Sequence, residues 1–181
     1  KGGQYDQFKF KLYSDSLRHN FLQNGRTPYY GAGNVTQNAV FPRLNQGTWN
    51  NLDIGYDRRD SGLMFELQTT NPFYVRVDAN QVTFNGTKSG ASSQGTSPGN
   101  GYVDLSLPVN YRTRNATFEV GYNTKQMHAD FSYMVSKFEN ADESIKWQNG
   151  YFGNGMDQTF LAPDNRYERF AGNFTYRQLP W

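Results

Sequence analysis

The sequence predicts an all-β protein, specifically the wall of an antiparallel up-and-down transmembrane β-barrel. Three observations predict it: long stretches that alternate apolar and polar residues, full charges in the polar half of that alternation, and an apolar content of which nearly half is aromatic. Because strand side chains project to opposite faces with period two, such a stretch has one apolar and one wet face. Residues 127–137 show this best, with apolar side chains at Met127, Ala129, Phe131, Tyr133 and Val135.

The length of the alternating stretches also favours a membrane-spanning strand. Strands of soluble proteins average about five or six residues, whereas a tilted strand needs roughly 9–11 residues to cross a bilayer. The alternating stretches of this chain reach the longer value. No apolar run of about 18 residues is present, so no transmembrane helix is predicted, and barrels do not need one because their backbone polar groups are satisfied between strands.

The composition fits a barrel wall better than a soluble core. Only 36% of the residues are hydrophobic and the mean hydropathy is -0.84, yet 17% are aromatic, with 13 Tyr, 14 Phe and 3 Trp. Tyr and Trp combine an apolar ring with one polar end, which suits membrane interfaces and strand surfaces. Disordered chains have few aromatics, so disorder is disfavoured.

Charge and cysteine content exclude other classes. The chain has no Cys, hence no disulfide, no thiolate metal site and no Cys-x-x-Cys-His haem attachment. The net charge of +2 and the lack of a Lys/Arg block argue against nucleic acid as a partner. The two histidines, His19 and His128, are isolated, so we expect no metal or haem ligand. We also find no catalytic constellation, and predict that the chain is not an enzyme.

The elements follow in order along the chain. Strands are expected at about residues 4–16, 49–70, 73–85, 113–124, 127–137 and 166–178. Long loops are expected at about 17–47, which is rich in Asn, Gly and Gln, at about 86–112, which begins with a linker-like Gly/Ser-rich run, and at about 140–165. Short turns are expected at Asn71-Pro72, Lys125-Gln126 and Leu179-Pro180. Long loops on one side and short turns on the other is the outer-membrane barrel pattern.

One stretch allows two interpretations. In residues 49–70 the apolar positions change phase at residues 58–62, from Leu52, Ile54 and Tyr56 to Leu63 and Phe65. The phase change indicates either a bulge within one long strand or a hairpin turn. The bulged strand gives six long strands and keeps all long loops on one side, so we favour six, with eight as the alternative.

Several local phrases, taken in order, resemble the MtrB/PioB family of outer-membrane barrels, which sheathe a multihaem cytochrome. They are YDQFKFKLYSD at 5–15, NPFYVRVD at 71–78, LPVNYRT at 107–113, YMVSKFEN at 133–140, LAPDN at 161–165 and YRQLPW at 176–181. The family's barrels are much longer, so the resemblance implies that residues 1–181 are a single segment of a larger wall. Six strands by themselves close no barrel of known type.

The resemblance also implies a location and partners. The location is the bacterial outer membrane, and the partners are its lipid, a periplasmic decahaem c-type cytochrome in the lumen, and a second, extracellular multihaem cytochrome on the long loops. The haems belong to the partners, and no cofactor is expected in this chain. The function implied is a porin-like sheath that supports electron transfer across the outer membrane.

The polar register supplies the candidate lumen residues. They either contact the cytochrome or simply line a wet interior: Lys9, Lys11, Glu66, Arg76, Asp78, Glu119, His128, Asp130 and Arg177. Two rival functions remain open at this point. One is a general diffusion porin, which needs an open lumen, and the other is a soluble β-sandwich that binds carbohydrate through its aromatics.

Overall fold

The computed structural model describes residues 1–4, 7–39, 45–68, 72–93, 102–148 and 155–177. These ranges hold eleven strands, one 3₁₀ turn at Gln46–Thr48 and no α-helix. The strands are β1 (Gly2–Gln4), β2 (Phe8–Thr27), β3 (Tyr29–Tyr30), β4 (Thr36–Ala39), β5 (Asn50–Gln68), β6 (Phe73–Ser93), β7 (Tyr102–Asn123), β8 (Met127–Asn140), β9 (Ser144–Gln148), β10 (Met156–Phe160) and β11 (Asn165–Tyr176).

The main element is one antiparallel sheet. In the described residues it has seven strands in the order β1-β2-β5-β6-β7-β8-β11, so its long strands follow chain order as an up-and-down meander. Apart from β1, its strands have 12 to 22 residues. The predicted all-β, antiparallel, up-and-down architecture with six long strands is confirmed.

β5 resolves the phase change at residues 58–62. Its pairing with β6 runs without a break from Gly55↔Thr87 to Gln68↔Tyr74, so the strand contains neither a hairpin nor a bulge there. The hairpin interpretation, and with it the eight-strand alternative, is wrong. The bulged-strand interpretation has the strand count right, but the irregularities lie in β2, between Asn20 and Gly25.

The strands are also longer than predicted. β2 continues to Thr27, while β6 and β7 stay paired one to one as far as Ser93↔Tyr102, so much of the loops predicted at 17–47 and 86–112 is strand. The Gly/Ser-rich composition is tolerated because ladder hydrogen bonds come from the backbone. Asn71, residues 94–101 and the expected Leu179-Pro180 turn lie outside the described residues.

Pro108 lies inside β7, although proline removes a ladder donor. Asn110 O, two residues away along the strand, accepts from Ala141 N at 3.1 Å, on the side where β8 runs. Backbone groups two residues apart point the same way, so the nitrogen of Pro108 faces that side too. β8 pairs with β7 only as far as Asn140↔Tyr111, so no strand pairs with this side of β7 at Pro108, and the missing donor costs no ladder hydrogen bond there.

The aligned register sorts all side chains into two faces. Residues directly opposite each other in antiparallel strands share a face, so a row can be followed across the sheet. We call the face that carries Phe65, Val77 and Phe118 face A, and the face that carries Glu66, Arg76 and Glu119 face B. Both sets lie in rows that extend from β2 to β11.

Face A carries a continuous apolar band at the short-turn end of the sheet. In β8 the band extends from Met127 to Val135, a rise of about 26 Å along the strand and roughly 20 Å across a bilayer at a tilt of about 40°. Its single charge, among the described residues, is Glu168 at the upper boundary. Many of its rings are uncovered: Phe73 is 60% exposed, Phe170 66% and Phe174 68%. An apolar surface of this extent marks an interaction face.

Above the band the two faces exchange character at one height. The last apolar row of face A contains Leu63, Ala79 and Ala116, and the next face-A row carries Ser61, Gln81 and Arg114. Apolar side chains occupy face B from about the same level onward: Leu17 in β2, Tyr56 in β5, Val82 and Phe84 in β6, Tyr111 and Val109 in β7, and Phe138 in β8. In each strand the apolar residues change from one face to the other, and these changes line up as one boundary across the sheet.

Residues of the long loops form a second, four-stranded sheet, β10-β9-β4-β3. It packs on the upper part of β7 through a buried cluster that contains Tyr29, Ala39, Val103, Leu105 and Trp147. By alternation, Val103 and Leu105 belong to face B, so the loop sheet lies over that face near the long-loop end. On face A it contacts Ser106, whose hydroxyl bonds Gln37 of β4, but among the described residues it leaves the apolar band uncovered, which is incompatible with a β-sandwich whose core would be that band.

We predict that face A tolerates no charge within the band. Val77→Arg, on face A between Phe65 and Phe118, should destabilise the folded protein by about 2–4 kcal/mol in lipid vesicles, the range for Arg at the bilayer midplane. Equilibrium urea unfolding of the vesicle-inserted protein measures this change.

The matched control is Thr117→Arg, which is at nearly the same height but on face B, opposite Asp78. It should cost less than about 1 kcal/mol, because the new guanidinium remains hydrated and gains a carboxylate neighbour. Equal costs for the two substitutions would contradict the assignment of the faces.

Candidate functional site: the polar face of the sheet

A row of alternating charges crosses four strands on face B. Lys9 Nζ lies 3.0 Å from Glu66 Oε1, Arg76 Nη2 lies 3.1 Å from Glu66 Oε2, and Arg76 Nη1 lies 3.7 Å from Glu119 Oε1. The four residues stand directly opposite one another in β2, β5, β6 and β7, and we call them the charged row. The side chain of Glu66 is only 13% exposed, so its two cations are needed to compensate a carboxylate that is poorly hydrated.

A second polar cluster centres on Asp60, further toward the long-loop end of face B. Arg58 Nη2 donates to Asp60 Oδ2 at 2.9 Å, while Tyr13 Oη and Asn80 Nδ2 donate to Asp60 Oδ1 at 3.3 and 3.2 Å. Asn115 Nδ2 extends the chain of hydrogen bonds to Asn80 Oδ1 at 2.9 Å. These contacts tie together β2, β5, β6 and β7 from the polar side.

A third cluster lies near the short-turn end. His128 Nε2 and Asp130 Oδ2 are 3.0 Å apart, and Asn173 Nδ2 donates to Asp130 Oδ1 at 2.9 Å. The ring of Tyr74 stacks on that of His128 at a centroid distance of 6.5 Å. His128 therefore has a carboxylate and a ring as neighbours. Among the described residues no group of three or more His, Cys, Asp or Glu side chains could hold a metal ion.

Two tyrosine rings flatten face B by lying over glycines. A Cβ on Gly62 would meet the Tyr13 ring at 2.7 Å, and one on Gly121 would meet the Tyr74 ring at 2.3 Å. Gly62 stands directly opposite Tyr13 in the ladder, and Gly121 directly opposite Tyr74. Each ring thus rests on the backbone of the neighbouring strand instead of projecting from the sheet. The result is a polar surface of low relief.

The nine candidates from the sequence all fall on face B. Eight occupy paired ladder positions of one parity, and Arg177 follows directly after β11, where its N–H donates to Gln126 O at 2.8 Å. The structure joins Lys9, Glu66, Arg76 and Glu119 in one ion-paired row, and His128 with Asp130 in a pair. Lys11 lies beside Tyr13, two residues along the same strand, with its Nζ 4.9 Å from the centre of the Tyr13 ring.

Sequence reasoning missed the uncharged members of this face. Tyr13, Asn80 and Asn115 complete the Asp60 cluster, and each has the parity of a candidate on its own strand. The signal was present in the alternation, because a wet face uses amides and hydroxyls as well as charges. Arg58 and Asp60 were missed for another reason, since the phase change at residues 58–62 hid the face to which they belong.

Among the described residues, no helix has the length and apolar character needed to cross a bilayer. Comparison with known proteins identifies one family. The family model of outer-membrane β-barrel porins of the MtrB/PioB type matches residues 1–179. No curated protein matches the chain.

We predict that the charged row contributes measurably to stability. Arg76→Gln removes the guanidinium that faces both Glu66 and Glu119, and should destabilise the protein by about 1–2 kcal/mol, as expected for a charge-assisted hydrogen bond that is partly shielded from water. Equilibrium urea unfolding of the vesicle-inserted protein measures the effect, and a double-mutant cycle with Glu66→Gln isolates the coupling.

Arg18→Gln is the control. Arg18 pairs with Asp57 at 2.9 Å, but both side chains are about half exposed. Its loss should change stability by less than about 1 kcal/mol, because exposed ion pairs contribute little. A larger effect at Arg18 than at Arg76 would contradict the special role of the charged row.

Proposed function

This chain belongs to the MtrB/PioB family of outer-membrane β-barrel porins, and we propose that its barrel sheathes a multihaem c-type cytochrome and so supports electron transfer across the bacterial outer membrane. The family places the chain in a porin-like barrel wall in the outer membrane. The cytochrome and the electron transfer are the proposal.

The orientation follows from loop length. Outer-membrane barrels have short periplasmic turns and longer extracellular loops. The turn at Lys125-Gln126 is therefore periplasmic, and the loop sheet β10-β9-β4-β3 is extracellular. Face A meets lipid through its apolar band, and face B lines the bore.

Face B supports a bore that is filled by protein. The charges of the charged row and of the Arg58–Asp60 pair cancel within the sheet, so a partner can approach these parts of the face without meeting a strong field of one sign. Its relief is low where Tyr13 and Tyr74 lie over glycines. A flat surface of satisfied polar groups suits a hydrated contact with a second folded protein, in which ordered water fills the gaps.

The barrel's contribution to electron transfer is physical. The sequence has no cysteine and thus no Cys-x-x-Cys-His motif, so covalently held haems of the c type would belong to the partner. The wall would keep a chain of closely spaced haems inside a protein sheath through the hydrocarbon layer. It would also hold the donor and acceptor ends of that chain on opposite sides of the membrane.

The loop sheet supports the docking of a second, extracellular multihaem cytochrome. Its outward face, opposite the buried cluster, carries Tyr30, Met156 and Phe160. Phe160 is 81% exposed and Tyr30 55%. Exposed aromatic and Met side chains of this kind are enriched at protein interfaces.

We predict that the purified full-length barrel conducts ions only while its bore is empty. In a planar bilayer, barrel without cytochrome should give a large open pore, because face B is polar and hydrated. Adding the periplasmic multihaem cytochrome to the periplasmic side should block the current. A soluble c-type cytochrome with a single haem serves as the control and should leave the current unchanged.

Persistent conductance in the presence of the multihaem cytochrome, with no stable complex on size-exclusion chromatography, would contradict the sheath and favour a general diffusion porin. Neighbouring genes offer an independent check, since a sheath should be encoded beside its multihaem cytochrome.

A further inference from the structure

Five cations line face A directly above the apolar band. Arg114, Lys137 and Arg166 stand opposite one another on β7, β8 and β11, and Arg59 and Arg112 lie one face-A row further toward the long loops. All five side chains are exposed. We call these residues the basic rim.

The basic rim is only partly neutralised. Glu139 is shared by Arg114 at 3.1 Å and Lys137 at 2.7 Å, and Glu168 pairs with Arg166. The basic rim therefore has five cations and only two carboxylates paired with them. In the charged row of face B, by contrast, cations and carboxylates alternate. Like charges directly opposite each other destabilise a sheet. Three adjacent cations in one row are better accommodated if an anion from outside the chain contacts them.

The two borders of the apolar band differ. At the short-turn border face A carries aromatic rings. Phe73 and Tyr122 are in edge contact with ring centroids 5.0 Å apart, and Phe174 and Tyr176 lie at the same border on β11, across β8 from them. At the long-loop border it carries the basic rim instead. Aromatic rings suit an ordinary membrane interface, whereas a belt of Arg and Lys attracts anionic lipid headgroups. The asymmetry follows the direction set by the long loops, so the basic border faces the outer leaflet.

We propose that the basic rim binds the phosphate groups of a lipid A-type glycolipid in the outer leaflet, whose acyl chains lie on the apolar band below. Band and rim together form an amphiphilic surface that is complementary to this one kind of molecule. Arg side chains bind phosphate oxygens in bidentate fashion, which gives geometric as well as electrostatic recognition. The proposal rests on the outer-membrane location of the family and is independent of the cytochrome.

The test uses the full-length protein in detergent and diphosphorylated lipid A, with native mass spectrometry to quantify bound glycolipid. The variant is Arg112→Gln/Arg114→Gln/Lys137→Gln. The matched control, Lys88→Gln/Lys125→Gln/Lys146→Gln, removes three cations outside the rim. We expect the rim variant to bind at least about tenfold more weakly, since each cation near an anionic surface contributes separately. The control should bind like the wild type.

Further measurements test whether binding depends on the positive charge of the rim and on the phosphates of the glycolipid. The Lys variant Arg112→Lys/Arg114→Lys should retain most of the affinity, and heat-modified gel mobility checks that each variant is folded. Wild-type affinity should fall with removal of the lipid A phosphates and with rising ionic strength, because exposed charge pairs are screened. The measurement at different ionic strengths uses only the wild-type protein, so it does not depend on whether a variant folds.

The proposal is overturned if the rim variant binds as tightly as the wild type, or if binding is insensitive to the lipid phosphates or to salt. Equal, rim-dependent binding of phosphatidylglycerol would also overturn the assignment to glycolipid. None of these outcomes bears on the conductance experiment, so failure of this proposal is distinguishable from failure of the sheath.

Discussion

The unbroken hydrogen-bonded register between the long strands is the constraint on which the rest of the structure depends. In lipid, backbone N–H and C=O groups must be satisfied between strands, and this aligns the strands residue by residue. From β5 to β8 the described pairing contains no slip. Because side chains alternate with period two, one slip would send an apolar residue into the polar face. The coherence of faces A and B across the sheet is a direct result of this register.

The exchange of character between the faces shows how the surroundings change along the strands. Within the band, face A must be apolar because lipid surrounds it, and face B is free to be polar. Beyond the band face A is in contact with water and polar headgroups, as Ser61, Gln81 and Arg114 indicate. On face B the loop sheet buries Val103 and Leu105 further along β7. The apolar side chains of β7 on this face therefore have a covering element near the long-loop end.

The charges of the two faces serve different purposes. On face B the ion pairs of the charged row limit the cost of keeping the Glu66 carboxylate largely out of water. On face A, at the long-loop border, the cations outnumber the carboxylates, so the surface has charge left for an external partner. This difference is the reason that we propose a protein partner for the bore and a lipid partner for the basic rim.

The sequence by itself determined the strand periodicity, the all-β architecture, the family and the common face of the nine candidate polar residues. This succeeded for Glu66, Arg76 and Glu119 because parity along one strand is a local property. Only the tertiary structure decided that Lys9 to Glu119 form one ion-paired row, since pairing depends on register between strands that are distant in the chain. The same holds at residues 58–62, where a phase change looked local but is the common boundary of five strands. The sequence of a single strand does not distinguish a bulge from a change in which face is apolar, because both shift the apolar positions by one residue.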